Sequence, residues 1–96
     1  MITLNKSTSE AIRIEMESIP EKYQKAFNSV HEGLAVLREE YVELENEIFF
    51  GEKKAEEHQY AQGIDGLDPK VIWKAKIKRE AIQVAAMAAR IIQELT

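Results

Sequence analysis

The chain has 96 residues, 45% of them apolar and 31% charged, with no cysteine and a net charge of −4. That length allows one domain with a modest core, burying only about two-thirds of the surface that the unfolded chain exposes. The acidic balance excludes a general nucleic-acid binder, which needs a basic stripe to displace counterions from phosphates.

The N-terminal Met1-Ile2-Thr3-Leu4 has no apolar run of signal-peptide length, and no window approaches a membrane span. A cytoplasmic chain that meets no membrane is therefore expected. Without disulfides or a Cys/His metal cage, a chain of this size gains stability most readily from a partner subunit.

In chain order, Ser7-Thr8-Ser9-Glu10 offers hydroxyls that can accept from the free N–H groups of a first helical turn. Ala11, Ile12, Ile14, Met16 and Ile19 follow at loose helical spacing. Ser18-Ile19-Pro20 marks a break and restart, because proline suits the first turn of a helix. A short second helix through Tyr23, Ala26 and Phe27 is predicted to end near Asn28-Ser29, so short helices fill 7–28.

A long helix is predicted over about 30–57, with Leu34, Leu37, Tyr41, Leu44 and Ile48 forming one apolar stripe. Gly51 lowers helix stability there by about 1 kcal/mol relative to alanine, which makes an end or kink plausible. His58 to Leu67 contains two glycines and no periodicity, and reads as a loop. Asp68-Pro69 then supplies a cap and a first-turn proline for a final helix over about 69–94. Ala81 to Ala89 is apolar on nearly every side, the pattern of a helix buried inside a bundle. The fold class expected is all-α, an antiparallel helical bundle completed by self-association.

Two places carry chemistry. At about 100° per residue, Glu40, Glu43 and Glu47 share an arc of roughly 60° at one edge of the apolar stripe. Like charges one turn apart are destabilising, so the cluster becomes favourable when a hard cation binds it. A solvated acidic face is the plain alternative, and acidic triplets on helices are common. On the last helix, Glu80 borders an apolar face with Trp73, Ile77, Val84, Met87 and Ile91. A carboxylate there must be paired, to Lys76 or Arg90, or bound to metal. Lys76 and Arg90 are also candidates for substrate phosphates, and Trp73 for lining a nucleotide pocket. No Ser/His/Asp or Cys/His arrangement and no phosphate-cradling glycine loop is present.

Leu37-Arg38-Glu39-Glu40-Tyr41-Val42-Glu43-Leu44 resembles the first motif, Glu-x-x-Glu, of the MazG-like all-α nucleotide pyrophosphohydrolases. Lys78-Arg79-Glu80-Ala81-Ile82-Gln83-Val84-Ala85-Ala86-Met87-Ala88 resembles the second, Glu-x-x-Asp on a later helix. His31-Glu32-Gly33-Leu34-Ala35-Val36-Leu37 is similar to the small members found in phages and prophages. The resemblance implies hydrolysis of surplus nucleoside triphosphates to monophosphate and pyrophosphate with Mg²⁺ or Mn²⁺, by a homodimer or homotetramer.

Carried over by motif, Glu40, Glu43 and Glu80 would be metal ligands. Glu47 would be a further catalytic carboxylate, as a ligand or as the residue orienting water. Gln83 stands where the family has Asp. An amide oxygen can coordinate a hard cation but brings no charge and is a poor base, so a non-catalytic helical homodimer that binds nucleotide or a protein is the alternative. The connection between Glu43 and Glu80 is also longer than usual for the family.

Overall fold

The computed structural model describes residues 3–18, 28–62 and 68–95, with 59–62 given by backbone alone. Among these residues the chain is entirely helical: α1 Lys6–Glu17, α2 Val30–Gln62 and α3 Pro69–Leu95. None of the three is long and apolar enough to cross a membrane.

Each start has a local cause. The α1 cap is Asn5, two residues before the first serine of the sequence signal, Ser7. Its Oδ1 accepts from the Thr8 N–H at 2.7 Å, the bond that the first free donors of a helix require. On the solvent side of α1, Arg13 pairs with Glu10 and with Glu17. Ser18 closes the helix by donating its hydroxyl to the Glu15 carbonyl at 2.9 Å. The predicted second short helix falls largely on 19–27, outside the described residues. Its expected end, Asn28-Ser29, is the cap of α2: Ser29 Oγ accepts from the Glu32 N–H, and the Glu32 carboxylate accepts from the Asn28 N–H. This reciprocal pattern is close to a capping box.

The long helix begins at Val30 as expected but does not stop or kink at Gly51. It runs 33 residues to Gln62, so part of the predicted loop from His58 is helical. At about 1.5 Å per residue the helix is roughly 50 Å long, and it sets the longest dimension of the molecule, 49 Å. Asp68 caps α3 as the sequence predicts, its Oδ1 accepting from the Lys70 N–H at 2.9 Å.

α3 is the central element, packing on α2 along one side and on α1 along another. It runs antiparallel to α2: Trp73 meets Glu47, Glu80 meets Glu40 and Glu43, and Ile91 and Leu95 lie beside Val30 and Gly33. What is fully buried between the helices is small. Gly33, Gly51, Ala55 and Ala86 are buried, and no large side chain among the described residues is. Small residues let the two backbones approach closely, and the larger side chains splay to either side of the seam.

Gly51 illustrates the close approach. A Cβ there would lie 2.8 Å from the Trp73 ring and would also collide with the Glu47 carboxylate. Within one chain the Ala81–Ala89 run is less central than expected. Ala81 is exposed, Ala86 buried and the rest half-buried, because α1 and α2 cover only part of the surface of α3.

Candidate metal centre

Midway along the α2–α3 seam, Glu40 and Glu43 from α2 meet Glu80 from α3. One carboxylate oxygen from each lies within 4.8 Å of the others. The i,i+3 spacing puts the first two on one face of α2, and the antiparallel pairing brings α3 past that face with Glu80 level. Glu43 is exposed, while Glu40 and Glu80 are half-buried.

Burial pushes both half-buried carboxyls above their ordinary value of 4.5, and the Glu43 charge adds to this in each case. Glu43 also stands within hydrogen-bonding reach of both. Repulsion from Glu80 and from Glu15 raises Glu40 further. Glu80 feels Glu47 as well, only partly offset by Arg79.

Glu47, one turn beyond Glu43, buries its Oε1 with no hydrogen-bond partner among the described residues. A buried carboxylate oxygen without a donor is costly, of order 1–3 kcal/mol or more for a charged group. That oxygen lies against Gly51 and beside the Trp73 ring, one turn past the triad. Glu80 has neither of the partners considered from sequence: Arg90 pairs with Glu94 at 3.3 Å, and no ion pair joins Lys76 to Glu80 among the described residues.

The donor set suits a hard divalent cation. All three oxygens are carboxylate, and no ion pair is made to any of them among the described residues. Neighbouring oxygens around an octahedral Mg²⁺ are about 3.0 Å apart. A limit of 4.8 Å therefore asks each of the three side chains for a shift of up to about an ångström.

Gln83 reaches the same cluster from α3. Oriented by the bonds open to it, its amide nitrogen donates to Glu40 Oε2 at 3.1 Å and to Glu80 Oε2 at 3.0 Å, and the O/N assignment follows from that network. It is a donor between two carboxylates here, and a metal-ligand role requires its oxygen to turn inward. Trp73 lies in the seam with its indole N–H donated to the Glu47 carbonyl at 2.7 Å. It fixes the turn that carries Glu47. Lys76 is exposed, one turn from Glu80. Arg90 is not brought to the cluster, since ten residues of helix separate it from Glu80 by about 15 Å.

Sequence reasoning missed Glu15, whose charge reaches Glu40 from α1. Its signal is its place with Ala11, Ile12 and Met16 on the half-buried face of α1. A pocket of about 190 Å³ lies elsewhere, where α2 starts and α3 ends, and holds none of these carboxylates. Neither a family model, nor a curated protein, nor a solved structure matches the chain.

Proposed function

We propose that this chain is a metal-dependent nucleoside triphosphate pyrophosphohydrolase of the MazG-like kind, working as a self-associated helical bundle. The observation that carries the reading is the convergence of Glu40, Glu43 and Glu80 from two helices, with no ion pair to any of the three among the described residues. Glu40, Glu43 and Glu80 would hold Mg²⁺ or Mn²⁺. When bound, such an ion screens phosphate oxygens and lowers the pKa of its water.

The protein's own groups divide the remaining work. Glu43, exposed at the mouth, faces the incoming triphosphate. Glu47, one turn beyond Glu43, is the carboxylate that orients a water and takes its proton once it swings out of its place against Gly51 and Trp73. Lys76, one turn from Glu80, supplies the nearby positive charge for a phosphate.

The second reading, a non-catalytic dimer that binds nucleotide or a protein, is favoured by one observation. The Gln83 amide already gives Glu40 and Glu80 a hydrogen bond each, which partly satisfies them without an ion. Pyrophosphate release from a panel of ribo- and deoxyribonucleoside triphosphates, with Mg²⁺ or Mn²⁺, separates the two. Turnover that disappears in Glu43→Gln supports the hydrolase. Metal binding without turnover in a folded protein supports the binder.

A further inference from the structure

The chain exposes 7732 Å², whereas a compact monomer of 11.0 kDa exposes about 5,600 Å². Its radius of gyration is 16.0 Å against about 12.5 Å for a compact domain of this length. The excess of roughly 2,100 Å² is larger than the ~800 Å² per partner that a stable interface buries.

Part of that surface is organised. Val30, Leu34, Tyr41 and Ile48 are 43 to 60% exposed. The last three recur every seventh residue, so the four form one stripe about 27 Å long on α2. The stripe lies beside the α3 seam, into which Leu37 and Leu44 turn half-buried. Along its outer edge, also every seventh residue, run the exposed His31, Arg38 and Glu45 and the half-buried Glu52. The edge is basic in its N-terminal half and acidic in its C-terminal half. Neither Arg38 nor Glu45 has an ion-pair partner among the described residues.

We infer that this stripe is the seat of a second copy of the chain, docked antiparallel on a two-fold axis at Tyr41. In that arrangement Leu34 of each copy packs on Ile48 of the other and Tyr41 meets Tyr41. Arg38 lies opposite Glu45 and His31 opposite Glu52, each twice by symmetry. The apolar pairs centre on residue 41 and the charged pairs half a residue further, a difference of under 1 Å along the helix. A parallel pairing instead sets Arg38 beside Arg38 and Glu45 beside Glu45, which complementary interfaces avoid. The inference rests on the self-association proposed above and not on what the acidic cluster does.

The chain has no cysteine, so introduced thiols report contacts cleanly. Across the two-fold, two copies of residue 34 are about 21 Å apart along the axis, beyond the Cα separation of under about 7 Å that a disulfide allows. Leu34→Cys alone should therefore stay uncrosslinked. An equal mixture with Ile48→Cys should give a covalent heterodimer under mild oxidation, and Tyr41→Cys should crosslink to itself. Arg38→Glu should weaken the dimer about tenfold in sedimentation equilibrium, and adding Glu45→Arg should restore it. These positions are exposed, and circular dichroism checks that each variant folds. A dimer in which Leu34→Cys crosslinks to itself, or which Arg38→Glu leaves unchanged, overturns the arrangement alone. A monomer at 100 μM, a concentration set by the assay, overturns self-association as well.

Discussion

Gly51→Ala gives a test in which two physical effects have opposite signs. In the middle of an ordinary helix the change stabilises by about 1 kcal/mol, because alanine is the better helix former. Here the added methyl meets the Trp73 ring at 2.8 Å and overlaps the Glu47 carboxylate. Overpacking of this kind costs about 1–3 kcal/mol. Moving Trp73 also loses its 2.7 Å bond to the Glu47 carbonyl, a further ~1 kcal/mol. The balance is a loss of about 1–3 kcal/mol, or a fall in Tm of roughly 5–15 °C for a domain this size. Thermal unfolding at fixed protein concentration reads it, with the single tryptophan as a fluorescent reporter of the seam. A variant as stable as the parent, or more so, would refute the reasoning, because helix propensity would then outweigh the close approach at this position.

Three further expectations concern the cluster. Because Glu40 and Glu80 titrate above 4.5 in the folded chain, the fold holds their protons more tightly than the unfolded chain does. Their contribution to stability is fully present below 4.5 and is lost as pH rises through the raised values. The stability difference between the parent and Glu40→Gln, read from urea midpoints across this window, should shift against the parent as pH rises; a constant difference contradicts the desolvation argument. Millimolar Mg²⁺ should raise the Tm of the parent by binding only the folded state, and Glu43→Gln should abolish that rise; an equal rise in both removes Glu43 from the site. Gln83→Asp should lower Tm at neutral pH without metal, since two donated bonds become repulsion, yet tighten Mg²⁺ binding by calorimetry. If affinity does not increase, residue 83 does not face the ion.

Much of the helical layout was legible from punctuation. Asp68-Pro69 announces α3, and the seven-residue recurrence from Leu34 to Ile48 announces α2. Within the triad, Glu40 and Glu43 were legible as a pair because i,i+3 spacing places them together whatever surrounds them. Glu80 was joined to them only through the motif resemblance, and spacing alone grouped them with Glu47 instead. Three things were not legible. Gly51 reads locally as a weak point, and only the partner helix, 22 residues away in sequence at Trp73, shows that it admits a neighbour. Glu15 lies on a different helix from every motif, and nothing local says which helix its face will meet. The apolar stripe was visible as one surface, but which of its members face α3 and which face outward depends on the rotation of α2. In the structure Leu37 and Leu44 turn inward, whereas Leu34, Tyr41 and Ile48 do not.

The placement of α1 sets an order of local opening. α1 packs on α3 and not on α2, and no residue in it is fully buried, so releasing it leaves the α2–α3 hairpin intact. Its amides should exchange with solvent at lower free energy than those flanking Ala86, in the manner of a separate cooperative unit. Glu15 ties that unit to the cluster, since its charge presses on Glu40 and the repulsion favours the released state. Neutralising the carboxylates, as in Glu40→Gln, removes that push, so the change at the seam should reach a helix that contributes nothing to the triad itself, as slower hydrogen exchange along α1.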